Sequence, residues 1–326
     1  MKNMLFFVSE YWELHWLHNV IEAMNGDVYT NSDECRKYCE KFNFKVVADR
    51  ESYKTIVVTN VHLGQQNEIV KYFMSTGGKA VVIQHGWDPA ISLYDNFWNE
   101  DVGRFSYYLV GCQQDYEWLT AKYGNDRIIM TGIPKLDDVY NIKNNDVDLT
   151  SIYESVGSSQ FYIANAPTDV FSVDIHKQYC NPLLERSPYK IVYKTHPGFN
   201  MVLHFPDITY SSDKYTMVND DHFDRNYVYK LIKASRGVVI IESFLIMEAS
   251  FLEKPAIFWA HDLLPRDLYN KPENVNQIHR LPVEMSSTFE NPEYKPMQKV
   301  MVDKYLFDGQ NTQRVVTFLK GLYNTL

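Results

Sequence analysis

The sequence predicts an α/β protein of two domains, each a parallel sheet wound with helices. Three observations lead there. Short apolar runs alternate with longer amphipathic stretches, the rhythm of βα units. The alternation lapses once, in a polar stretch rich in Asn, Asp and Ser at about 141–159, and then restarts. The chain has 326 residues, and roughly 100 to 200 residues are expected per domain. Two such domains imply a cleft.

In chain order, the first half supplies strands at Met4 to Val8, Lys45 to Val47, Thr55 to Thr59, Ala80 to Gln84, Tyr107 to Val110 and Ile128 to Met130. Helical patterns at Tyr11 to Met24, Asp33 to Phe42, Gln65 to Met74 and Gln113 to Tyr123 separate them. Past the polar stretch come strands at Phe161 to Ala164, Lys190 to Lys194, Thr216 to Val218, Gly237 to Ile241 and Ala256 to Trp259. Helices are expected near Asp174 to Glu185, Asp224 to Ala234 and Phe244 to Leu252. At the end, Val315, Leu319, Leu322 and Leu326 recur at steps of four, three and four, one face of a helix. The expected division is a first domain over 1–145, a second over 159–310, and a helix at 311–326 that packs back on the first.

Composition narrows the class. Hydrophobic residues make up 45% and charged residues 22%, which supports sizeable cores. A formal net charge of -9 argues against nucleic acid or anionic lipid as the main partner. The apolar run Met4-Leu5-Phe6-Phe7-Val8 is too short for a signal segment or a membrane span and reads as a buried strand. Cys35, Cys39, Cys112 and Cys180 contain no C-x-x-C pair and are too few to staple a chain of this size. A reducing cytoplasm is the expected location, with a peripheral position at the membrane allowed.

In doubly wound sheets ligands sit at the carboxyl ends of strands, so the informative residues follow each apolar run. Glu10, after the first strand, is a candidate general base. His15 and His18, three apart on the next helix, are read as packing residues, since no third metal ligand accompanies them. His85-Gly86 follows another strand. An imidazole there suits proton removal near neutral pH, and the other reading is a histidine bonded to a backbone carbonyl in a turn. Thr131-Gly132-Ile133-Pro134-Lys135-Leu136-Asp137 reads as turn chemistry, with Lys135 the one residue suited to a phosphate. In the second half, Ala166-Pro167-Thr168 and Lys194-Thr195-His196-Pro197-Gly198 both follow strands. Pro197 fixes the chain past His196, whose ring could stabilise a diphosphate. Ser243 stands at the start of a helix, where unpaired N–H groups favour phosphate, and Glu248 lies just over one turn later, suited to ribose hydroxyls. The competing reading is an N-cap serine with a solvated Glu248.

Together these motifs resemble the CDP-glycerol glycerophosphotransferase family of teichoic-acid enzymes and, more distantly, other enzymes of the GT-B type, which have two Rossmann-like domains. The resemblance is carried by His85-Gly86, the Gly132-Ile133-Pro134-Lys135-Leu136-Asp137 turn, Ala166-Pro167-Thr168, His196-Pro197, and the stretch from Asp224 to Asp267 with Ser243, Glu248, Lys254-Pro255 and Arg266-Asp267. It implies a metal-independent transferase without a cofactor. The first domain would bind a hydroxyl acceptor and the second a nucleotide-diphosphate donor, with glycan or polyol-phosphate acceptors in glycopolymer synthesis. His85 and Glu10 would be catalytic, and Thr168, Lys194, His196, Ser243, Glu248 and Arg266 would form the donor site. This chain departs from the family signature in having Ile241 at a carboxylate position and Phe244 in place of a second serine. These changes imply the loss of a phosphate contact, and the spacing of Ser243 and Glu248 with Lys254-Pro255 resembles that of UDP-sugar enzymes, which favours a nucleotide-sugar donor. Alternatives are a UDP-sugar epimerase or hydrolase, a non-catalytic nucleotide-binding protein, and a phage-type base glycosyltransferase.

Overall fold

In a computed structural model of the chain, the structure describes residues 4–59, 64–85, 105–165, 187, 189–194, 213, 215–218, 224–240, 245–258 and 305–324. The chain divides into two compact units, one of 1–138 with 304–326 and one of 139–303.

The first unit is built on a seven-stranded sheet. Its strands are β1 (Met4–Phe7), β2 (Asp27–Tyr29), β3 (Lys45–Val46), β4 (Thr55–Val58), β5 (Lys79–Ile83), β6 (Tyr107–Val110) and β7 (Ile128–Met130). Their order is β3-β2-β1-β4-β5-β6-β7, and every pair is parallel. Helices α1 (Tyr11–Met24), α2 (Asp33–Lys41), α3 (Gly64–Ser75) and α4 (Gln113–Tyr123) lie between the strands in sequence. Because side chains alternate along a strand, Phe6, Val57, Val81, Ile83 and Leu109 enter one core with α1 and α2. Leu5, Phe7, Ile56, Val58, Val82 and Val110 enter a second core on the opposite face. A parallel sheet covered on both faces requires such continuously apolar strands, and all four residues of β1 and of β4 are buried.

Helix α9 (Asn311–Asn324) belongs to this unit. Val315, Val316, Leu319 and Leu322 join the α1 side of the core. Its N-terminus is held by a residue far back in the sequence. The Asp137 carboxylate accepts from the backbone N–H of Asn311 at 3.0 Å and of Thr312 at 2.7 Å. Beside it, Gly132 has a φ of +80°, and a Cβ there would collide with the Asn311 side chain. Arg314 completes the junction, donating to Asn311 Oδ1 at 2.8 Å. The glycine and aspartate of the Gly-Ile-Pro-Lys-Leu-Asp turn are therefore the socket of α9.

The second unit carries β8 (Phe161–Asn165), β9 (Lys190–Lys194), β10 (Tyr215–Val218), β11 (Val238–Ile240) and β12 (Ala256–Phe258) in the order β10-β9-β8-β11-β12, again all parallel. The polar stretch after β7 is not a bare linker. It holds α5 (Leu136–Asn144) and α6 (Thr150–Val156), and the first unit closes at Asp138, earlier than the loss of apolar residues suggests. Lys233 on α7 (Tyr227–Ala234) explains how α5 ends. Its ammonium donates to the carbonyls of Ile142 at 2.6 Å and Asn145 at 2.9 Å, a cation on a helix C-terminus. Helix α8 (Leu245–Phe251) follows β11. The helix expected at Asp174 to Glu185 lies outside the described residues. No helix among the described residues is long and apolar enough to cross a membrane.

Candidate functional site

In each sheet the strand order reverses beside the first strand, between β1 and β4 and between β8 and β11. Such switch points splay the loops at the strands' carboxyl ends and are where open α/β sheets bind ligands.

At the first switch point the structure assembles a polar cluster from three strand ends and two helices. Glu10 caps α1 and is exposed. The buried carboxylate is Glu13, one turn on, with 0% exposure. Its Oε2 accepts from the backbone N–H groups of Ser9 at 2.6 Å and Glu10 at 3.0 Å, and from Ser9 Oγ at 3.2 Å. Its Oε1 accepts from Thr59 Oγ1 at 3.2 Å and from the side-chain amide of Gln66 on α3. Every one of these partners donates, the pattern of an ionised acid. Burial pushes the Glu13 carboxyl above its ordinary range, while the Glu10 and Ser9 amides and the nearby His85 pull it down.

His85, half-buried at the end of β5, stands next to this cluster. Its Nδ1 lies 2.9 Å from the carbonyl oxygen of Thr59. A carbonyl only accepts, so Nδ1 carries the hydrogen, and in the neutral ring the basic lone pair is on Nε2. The backbone-bonded reading of His85 is the one seen, and it leaves Nε2 as the basic ring nitrogen. Trp12 packs on the ring with centroids 5.0 Å apart, and Trp16 meets it edge-on at 5.8 Å. Lys135 places its ammonium 4.5 Å from the Trp16 ring centroid. His18 has a packing role, with Nδ1 2.9 Å from the Tyr38 hydroxyl and Phe42 and Phe44 against its ring. The described cysteines Cys35, Cys39 and Cys112 are buried thiols.

In the second unit, Lys194 is buried at the end of β9, in register with Asn165 of β8 and Val218 of β10. Glu248, in the first turn of α8, is only 3% exposed, which rules out the solvated reading. Its Oε1 lies 3.4 Å from the Tyr229 hydroxyl on α7. Lys254, part of the quoted signature, has a structural partner. Its ammonium donates to the Ser235 carbonyl at 2.9 Å just ahead of β12, at the amino ends of the strands. Burial lowers its affinity for the proton, helped by Lys233 and Arg236. Thr168, His196, Ser243 and Arg266 lie outside the described residues.

Sequence reasoning missed Glu13, Thr59 and Gln66. A signal for Glu13 exists. It shares the i, i+3, i+4 face of α1 with Trp16 and Leu17, both buried, and a carboxylate on an apolar face needs buried donors.

Two Rossmann-type parallel sheets in one chain, each with its switch point, define the GT-B fold. Solved structures of that fold align with the whole chain. One is a UDP-GlcNAc 2-epimerase from Neisseria meningitidis bound to UDP-GlcNAc, with TM-score 0.71, 13% identity, and 98% of this chain and 100% of that one covered. Another is the MnaA–UDP structure from S. aureus, with TM-score 0.69, 13% identity, and coverage of 100% and 98%. A third is the wall teichoic acid polymerase TagF soaked with CDPG, with TM-score 0.67, 16% identity, and coverage of 98% and 88%. No protein-family model and no curated protein sequence matches the chain.

Proposed function

We propose that the protein is a GT-B enzyme that transfers a glycosyl or glycerophosphoryl group from a nucleotide-diphosphate donor to a hydroxyl, with His85 as the general base. The observation that carries this reading is the Nδ1–H bond from His85 to the Thr59 carbonyl at a strand end beside a switch point. It supports Nε2 as the acceptor of the hydroxyl proton. As that proton leaves, the acceptor oxygen attacks the transferred group, and the bond to the nucleotide phosphate breaks with its electron pair on the leaving phosphate. The donor residues belong to the second unit. Thr168 and Ser243 follow in sequence the two strands between which the order reverses. His196 and Arg266 supply charge for the phosphates, Lys194 the buried cation at β9, and Glu248 a buried acceptor for ribose hydroxyls. The reaction needs no metal, so a chelator leaves turnover unchanged.

Epimerisation of a nucleotide sugar is the second reading, favoured by the likeness over nearly the whole chain to a UDP-GlcNAc 2-epimerase structure bound to UDP-GlcNAc. Thermal-shift measurement over CDP-, UDP-, GDP- and dTDP-linked donors identifies the nucleotide, because a ligand that binds the folded state stabilises it. Product analysis with and without a hydroxyl acceptor then separates the two readings, since epimerisation consumes no acceptor. With the matching donor, His85→Ala loses roughly 10²- to 10⁴-fold in turnover while keeping its fold. Turnover within about threefold of wild type removes His85 from the base role.

A further inference from the structure

We infer that Glu13 is the positioning residue for His85, fixing through Thr59 which ring nitrogen is basic and supplying the negative charge that the protonated ring meets. The inference rests on His85 being the base and deepens that reading.

The geometry is a chain of two links. Glu13 Oε1 holds the Thr59 hydroxyl, and the Thr59 carbonyl holds Nδ1–H of His85. Thr59 is buried with 0% exposure, so its backbone has little freedom once both groups are engaged. Glu13 in turn is fixed from β1 by Ser9 and Glu10 and from α3 by Gln66. One carboxylate therefore ties the ends of β1 and β4 to α3, and the tie terminates at the imidazole. Five donors for one buried carboxylate exceed what a helix start needs, since the N-cap box accounts for only the Glu10 amide. The Ser9 donors offset part of the burial that raises the Glu13 carboxyl, next to a ring that becomes cationic when it takes a proton.

Other charged groups around His85 are placed differently. Lys135, from the turn ahead of α5, lies over the Trp16 ring, which itself meets the imidazole edge-on. Asp115 on α4 is engaged by the side-chain amide of Gln84, the residue before His85, at 2.8 Å. Glu10 on α1 is exposed. Among these, only Glu13 is linked to the residue that holds the ring.

The test needs no substrate, which separates it from the fate of the transferase reading. In the full chain with ¹⁵N-labelled histidine, the ring resonances of His85 are assigned by their loss in His85→Gln. Wild type is expected to show the neutral ring as the Nδ1–H tautomer. In Glu13→Gln the midpoint for protonating His85 falls by about one pH unit, a tenfold loss of proton affinity, and Glu13→Asp, which retains the charge, recovers most of it. A purely structural role for Glu13 leaves that midpoint unmoved in every folded variant. An Nε2–H tautomer in wild type, or a Glu13→Gln midpoint indistinguishable from wild type, overturns the inference. Should Glu13→Gln not fold, Thr59→Val decides, because it keeps the carbonyl and replaces the hydroxyl with a methyl group. Loss of a dominant Nδ1–H tautomer there supports the inference, and a ring identical to wild type overturns it.

Discussion

Removing the Asp137 carboxylate is expected to release α9 from the first unit. Asp137→Ala leaves the N–H groups of Asn311 and Thr312 without their acceptor, in a place where Asn311 is fully buried and Asp137 is 6% exposed. Loss of an N-cap costs about 0.5–2 kcal/mol, and a hydrogen bond to a charged group contributes about 1.5–3 kcal/mol. With two buried amides orphaned, a cost of roughly 2 to 4 kcal/mol is expected. A whole-chain melt is a poor measure, because a chain of two units need not unfold in one step. Amide hydrogen exchange over α9 reads the effect locally. Exchange of its core amides should quicken by roughly 30- to 1,000-fold, the equivalent of that energy at 1.4 kcal/mol per factor of ten. The pH dependence adds a sign. Burial raises the Asp137 carboxyl above its ordinary range, with the Thr312 and Asn311 amides opposing. A raised value in the folded state means that this term favours folding most below the unfolded-state value and is lost as pH rises through the folded one. The advantage of wild type over Asp137→Asn, which cannot titrate, therefore widens on going from pH 7 to pH 4. Protection of α9 that is the same in Asp137→Ala and wild type refutes the socket.

Gly132→Ala should destabilise the same junction by about 1 to 3 kcal/mol, since it combines a positive φ with a clash against Asn311. Loss of α9 protection without change in the second unit checks it. Lys254 carries the opposite linkage. Burial depresses its proton affinity, so its contribution to stability is present above the unfolded-state value and is lost as pH falls through the folded one. Lys254→Met is therefore less harmful at pH 7 than at pH 10, and urea midpoints of the second unit at the two pH values test this. Glu248→Ala should abolish most of the thermal stabilisation given by the matching nucleotide donor, while Glu10→Ala, a change at an exposed side chain, leaves it intact.

The long apolar strands were legible in the sequence because they are buried on both faces. Ala80 to Gln84 is displaced by one residue at each end from β5, and Tyr107 to Val110 coincides with β6. What escaped is equally physical. β2 is only Asp-Val-Tyr, with a single fully buried side chain, too short for any periodicity. α6 buries only Ile152 and Val156, so its sequence reads as linker. At the candidate site, residues placed directly after strands, such as His85, are legible because position alone marks them. Glu13 is not, since its role arises from Thr59 and Gln66, which are 46 and 53 residues away in sequence. Glu10, the sequence's choice, has the right position but faces solvent. The Gly-Ile-Pro-Lys-Leu-Asp turn was read correctly as a turn. Its partner, α9, is too distant in the chain for any local pattern to announce it.

That socket also sets an order of events during synthesis. The first unit lacks the Val315, Val316, Leu319 and Leu322 side of its core until the far end of the chain has been made, and the whole of 139–303 is made in between. At about 5–20 residues per second the ribosome takes roughly ten to thirty seconds over that stretch. Through that interval α1 waits without its α9 neighbour, and the Asp137 carboxylate waits without its amides. Of the two units, the one begun first is thus the one completed last.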